Sequence, residues 1–136
     1  MATADTLNAG ATKAGNGRFV FELARLERIA AGPGYSTAEG PVIEGERMQV
    51  GLISMPRGTG SQPHSHPNEQ WIYLLKGNAR VVIGDQPETL ARPGTLIYVP
   101  AGVVHSFVAT PDEDVQFFTV KDMSHGIAGT LAGGTA

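Results

Sequence analysis

From about residue 48 onward the chain is a succession of short, alternating apolar segments, each closed by residues that turn the backbone. Gln70–Leu75 and Ala79–Ile83 flank Lys76-Gly77-Asn78, Gly84-Asp85-Gln86 follows, and Arg92-Pro93-Gly94 and Pro100-Ala101-Gly102 punctuate what comes after. Side chains on a strand alternate between two faces, so segments of this length and pattern read as half-buried strands. Turns this frequent leave no room for long helices or for a βαβ unit. The 18 glycines and nine prolines among 136 residues supply the turns. The pattern predicts at least seven short antiparallel strands and an all-β sandwich or closed barrel.

The length suits one domain with a single core. Residues 1–17 and 126–136 are mostly Ala, Thr, Gly and Asn with little to bury, and are expected to be flexible arms flanking a domain over 18–125. Phe19–Ile29 alternates at its start and has helical propensity later, and is expected to be extended. Glu39–Met55 reads as two strands, Met48–Met55 being the more regular, with Glu88–Ala91, Thr95–Val99, His105–Ala109 and Val115–Lys121 completing the set.

The net charge of −3 and a pI near 5.7 argue against nucleic acid or an anionic membrane as partner. No apolar run reaches spanning length, and the first residues lack the basic start and apolar stretch of a signal peptide, so a cytoplasmic location is expected. With no cysteine, disulfides, thiolate ligands and a cysteine nucleophile are excluded.

Three of the four histidines fall in a pattern that suits a divalent cation: His64 and His66, then the amide of Gln70, then His105 after a sharp Pro-Gly turn. His64, His66 and Gln70 share strand parity and Glu69 does not, which favours Gln70 over Glu69 as the oxygen donor. His105 is expected from a facing strand. Ile72, Leu74 and Phe107 share the ligand parity and would make the surroundings apolar, whereas Trp71 and Tyr73 point to another packing surface or a subunit contact.

These residues carry a resemblance. Gly58, His64-x-His66, Gln70 and Gly77 form one motif, and Gly94, Pro100-x-Gly102, His105 and Ala109 a second, with the internal spacings of the two cupin signatures. The chain thus resembles a small single-domain cupin, with Gln70 where that family usually has Glu and Ala109 where it often has Asn. The resemblance implies a jelly-roll β-barrel and one divalent first-row metal per chain (iron, manganese, nickel or zinc), held by His64, His66, Gln70 and His105. It is similar to the three-His, one-Gln cupins that include uronate-linearising proteins and hydroxynitrile lyases. A neutral amide ligand leaves the cation's full charge to polarise a substrate oxygen.

The implied function is Lewis-acid lyase or isomerase chemistry on a small hydroxy, carbonyl or carboxylate compound. An Fe(II) dioxygenase and a non-catalytic binding module are the alternatives. No general base is evident. Glu69 is a candidate hydrogen-bond acceptor for a ligand histidine, Arg57 a candidate carboxylate binder, Tyr98 a candidate pocket residue, and His125 with Asp122 a candidate pair at the barrel mouth. A solvated rim (Arg57, His125) or packed core (Tyr98) is the competing reading of each. The resemblance also implies a homodimer, for which the segment around Phe19–Phe21 and Trp71 offer apolar surface.

Overall fold

A computed structural model describes residues 5–133. Its elements are β1 (Thr12–Lys13), a 3₁₀ turn (Leu23–Arg25), β2 (Ile29–Ala30), β3 (Glu39–Gly40), β4 (Val42–Glu44), β5 (Met48–Met55), β6 (Gly60–Ser65), β7 (Gln70–Lys76), β8 (Ala79–Ile83), β9 (Thr89–Ala91), β10 (Leu96–Val99), β11 (His105–Ala109), β12 (Val115–Asp122) and β13 (Thr130–Leu131). The order β1-β4-β5-β12-β7-β10, with β2 and β3 attached, makes one sheet, and β13-β6-β11-β8-β9 makes the other. Facing each other, they form an all-β jelly roll. Among the described residues no helix is long and apolar enough to cross a membrane.

Alternation decides which side chains meet between the sheets. On β12, Val115, Phe117, Thr119 and Lys121 are buried while the residues between them are not. On β7 the buried set is Gln70, Ile72 and Leu74, and on β11 it is His105, Phe107 and Ala109. One end of the interior is therefore apolar, with Leu74, Ala79, Ala109 and Val115, and the other is polar. Phe107 and Phe117, 5.0 Å apart between ring centroids, divide the two.

Two glycines permit close approaches. Gly77, at φ +77° in the β7–β8 connection, lies where a Cβ would come within 2.5 Å of the Asp114 carbonyl oxygen. Gly60, opening β6, lets β11 approach so closely that a Cβ would sit 2.3 Å from the Phe107 carbonyl.

Two expectations change. Phe19–Ile29 is not one extended segment: it carries the 3₁₀ turn, and pairing begins only at Ile29. The segment from Gly126 onward, read from composition as lying outside the domain, packs on it. Ile127 is buried in the core, and Thr130 and Leu131 pair with Ser65 and His64 of β6. The N-terminal segment is likewise tied in, since the buried Glu44 carboxylate accepts from the backbone of Leu7 and Asn8. Residues 1–4 and 134–136 of the two expected arms lie outside the described residues.

The outer face of the first sheet is apolar. Trp71 pairs with Tyr98 and Tyr73 with Leu96 across β7 and β10, the Trp71 and Tyr98 rings lying 4.7 Å apart. These four and Leu75 are between 42% and 59% exposed.

Candidate metal centre

His64 and His105 are direct cross-strand partners on β6 and β11, so their side chains enter the interior side by side, with ring centroids 4.2 Å apart. His105 thus comes from the neighbouring strand of the same sheet, not from a facing strand. His66 lies just past β6, held where its carbonyl accepts from the Gly102 amide at 2.8 Å. The chain then turns through Pro67, Asn68 and Glu69 into the other sheet, and Gln70 opens β7. The shared parity expected of His64, His66 and Gln70 presumed one continuous strand. The four instead converge because a turn carries the chain across the barrel.

Each ring is oriented by a backbone carbonyl. The Nδ1 atoms of His64, His66 and His105 lie 2.8, 2.7 and 2.9 Å from the carbonyl oxygens of Gln62, Asn68 and Val103. A carbonyl only accepts, so each Nδ1 carries the proton and each Nε2 is left with a lone pair. The ligand atoms of the three histidines fall within 4.8 Å of one another. The amide of Gln70 is fixed in the same way. Its Nε2 donates to Thr119 Oγ1 at 2.8 Å, and the Thr119 hydroxyl donates to the Trp71 carbonyl at 2.9 Å. That leaves Gln70 Oε1 turned inward, 3.1 Å from His66 Nε2.

Two acceptors at hydrogen-bond distance, with no proton for either to share, repel unless a cation lies between them. His105 Nε2 is buried with no hydrogen-bond partner among the described residues, a second lone pair awaiting an electrophile. Protonation is a poor remedy. Burial holds the His66 imidazole down to about 4, helped by the nearby Lys121 charge, and burial holds His105 down to about 3. His64 is lowered for the same reason. The cluster is therefore neutral at physiological pH, and its geometry and chemistry fit a divalent metal ion.

His64, His105 and Gln70 line a cavity of about 40 Å³ whose walls include Ile53, Ile72, Phe107, Phe117 and Ile127. Two of its polar residues have no counterpart in the sequence reading. Tyr35 arrives from the Gly32-Pro33-Gly34 turn, lies 4.4 Å from the His64 ring, and accepts from the Gly129 amide at 2.7 Å through its hydroxyl. Burial raises its pKa, so the hydroxyl keeps its proton. Lys121 is only 4% exposed, pairs in register with Gln70, and donates to the Ile127 carbonyl. Burial pushes its ammonium down to about 7.

The other candidates lie elsewhere. Glu69 is exposed, and the acceptor for His66 Nδ1 is the Asn68 carbonyl, so Glu69 supports no ligand histidine. Arg57 is exposed and pairs with Asp114 at 3.5 Å. Tyr98 faces outward beside Trp71, neither in the cavity nor in the core. His125 is exposed, and its backbone carbonyl accepts from Gln49 and Asn68. Asp122 accepts from the backbone of Glu69 and Ser124 at the surface.

Fold and site together define a small β-barrel protein with a histidine cluster able to hold a metal ion. The profile of the Cupin domain family matches residues 51–121, and the chain belongs to the cupins. An uncharacterized protein of Streptomyces coelicolor is 35% identical over 60 residues, covering 44% of this chain and 56% of that protein, so the match spans little more than half of the relative. Among solved structures, the polyketide cyclase RemF from Streptomyces resistomycificus superposes with a TM-score of 0.73 at 21% identity, over 86% of this chain and 87% of that one. The DMSP lyase DddQ from Ruegeria pomeroyi gives 0.60 at 22% identity, over 71% of this chain and 49% of that one. At these identities the likeness is one of fold.

Proposed function

We propose that this cupin is a cytoplasmic, divalent-metal-dependent enzyme acting on a small hydroxy, carbonyl or carboxylate compound, with lyase or isomerase chemistry. One observation carries the reading: the fixed amide of Gln70 and the fixed tautomer of His66 set two lone pairs against each other at 3.1 Å, in a cluster with two more imidazoles. His64, His66, His105 and Gln70 would hold the ion, and all four are neutral. A bound cation would supply Lewis acidity undiminished by any carboxylate ligand. The chain's own residues do the rest. Phe107, Phe117, Ile53 and Ile72 exclude water and lower the local dielectric, which strengthens every charge interaction at the site. The neighbouring polyketide cyclase and DMSP lyase show by their names that this barrel can carry enzymes.

Metal analysis by plasma mass spectrometry on untagged protein, beside a His64→Ala, His105→Ala double variant, tests the reading. Near-stoichiometric iron, manganese, nickel or zinc that disappears in the variant is expected. Turnover of hydroxy or carbonyl acids under nitrogen supports the lyase or isomerase reading, whereas turnover that requires both iron and oxygen replaces it with a dioxygenase. Wild-type protein that stays empty after dialysis against each metal overturns the enzyme reading in favour of a binding module.

We also propose that a second copy of the chain covers the outer face formed by Trp71, Tyr73, Leu75, Leu96 and Tyr98. At 42% to 59% exposure these residues offer on the order of 500 Å² of surface. That is a large part of the roughly 800 Å² per partner that a stable interface requires.

A further inference from the structure

Among the described residues Lys121 is the one cationic side chain lining the cavity, and none of them answers its charge there. The lining residues include no aspartate or glutamate. The nearby buried carboxylate, Glu44, is already taken up by the amides of Leu7 and Asn8 and by the Asn8 side chain, with oxygen–nitrogen distances of 2.7–2.8 Å. Among the described residues the one hydrogen-bond acceptor for Lys121 Nζ is the Ile127 carbonyl, and an amine has at least one further proton to donate in either protonation state. Register places Lys121 beside Gln70 on the neighbouring strand, and its charge is felt at His64, His66 and His105. The site therefore combines four neutral ligands, a buried amine and no acid. A dication bound there would add positive charge to a cavity whose lining carries no negative charge of its own. Burying unbalanced charge is costly, so the missing anion has to arrive with the ligand.

We propose that Lys121 is the substrate-anchoring residue of this site, donating from Nζ to an anionic oxygen of a small carboxylate or enolisable acid whose other oxygen meets the metal. The inference rests on the metal-site reading above and adds to it the substrate's charge and the group that recognises it. The small size of the cavity restricts the portion bound there to a few heavy atoms. The apolar walls would disfavour a second charged group at the far end of the ligand.

The test is a binding measurement on zinc-loaded, untagged protein, using glycolate and glycolamide, which offer the same chelating oxygens and differ in charge. Zinc content and zinc affinity are determined first for wild type and Lys121→Met. In wild type glycolate is expected to bind more tightly than glycolamide. In Lys121→Met that preference is expected to shrink by about 10- to 100-fold, the range for losing a hydrogen bond to a charged group. Zinc affinity should be equal or higher, and the melting temperature equal or higher, because a costly buried amine is gone. An unchanged preference overturns the proposal. So does an equal loss of affinity for both ligands with a lower melting temperature, which marks Lys121 as structural. If Lys121→Met does not fold, Lys121→Gln carries the same comparison, its amide retaining part of the preference. A wild-type protein that takes up no zinc, nor any other of the candidate metals, removes the metal-site reading and the proposal with it.

Discussion

Gln70 Nε2 donates to Thr119 Oγ1 at 2.8 Å, so a threonine on β12 decides which end of a glutamine on β7 faces the histidines. Thr119 does not itself touch the histidine cluster, yet without its oxygen the amide could rotate and present its NH₂ group to a cation. Thr119→Val keeps the shape and removes the acceptor. Partners that orient a metal ligand are typically worth 10- to 100-fold in affinity. Thr119→Val is therefore expected to weaken metal binding by about that range, read by competition with a chromophoric chelator, with the fold intact by circular dichroism. Unchanged affinity would show that Gln70 does not ligate through Oε1.

The stability of the metal-free protein should rise with pH over two windows. His66 and His105 titrate near 4 and 3 when folded and near 6.5 when free, so between those values the unfolded chain binds protons that the folded chain refuses. Stability therefore falls as pH drops through that range. Lys121 titrates near 7 when folded against 10.5 when free, so the same sign applies from pH 7 to about 10. The upper window should be worth a few kcal/mol, on the order of 1.4 kcal/mol per pH unit. Urea unfolding at pH 7 and pH 9 should show a clear rise for wild type and a much smaller one for Lys121→Met. Equal slopes for the two would mean the amine stays charged in the folded protein.

Removing residues 126–136 should lower both stability and metal affinity. The deletion takes Ile127 from the core, breaks the pairing of Thr130 and Leu131 with β6, and strips the acceptor from Lys121 and one of those from Asn68. A melting temperature lower by several degrees is expected, since each buried polar group left without a partner costs about 1–3 kcal/mol. Thermal melts with and without zinc measure both effects. An unchanged melt would show that the segment only rests on the surface.

If a second copy covers the outer sheet face, light scattering on wild type at micromolar concentration should give twice the chain mass. Trp71→Ser with Leu96→Ser should shift it towards the monomer without affecting metal content. A monomeric wild type would rule out the interface.

The β-architecture was legible wherever alternation met a turn residue. Ala79–Ile83 and His105–Ala109 are strands over the ranges their pattern implies, because one face of each packs into a single core. The three histidines were legible from spacing alone. The change of sheet at Pro67–Glu69 was not, since counting parity assumes a pleat that the turn interrupts. Lys121 could have been found: Val115, Phe117 and Thr119 set an inward parity that Lys121 shares, but lysine's strong preference for water argues the other way. Tyr35 could not, as its place depends on a turn and on a hydrogen bond to Gly129, 94 positions away. Residues 126–131 read Gly-Ile-Ala-Gly-Thr-Leu, too short and too glycine-rich for an alternating pattern, so nothing local reveals that they pair with the strand bearing His64.

The Asn8 side chain accepts from the Ile127 amide at 2.7 Å while donating to Glu44 and Gln49. Segments near the two ends of the described chain are thus joined, through a residue, Ile127, that lines the same cavity as Lys121, His64 and His105. A circular permutant that links them through a short spacer and opens a distant hairpin should fold. A polyhistidine tag offers imidazoles of its own to the same ion, so a tag added for purification would also alter the occupancy being measured.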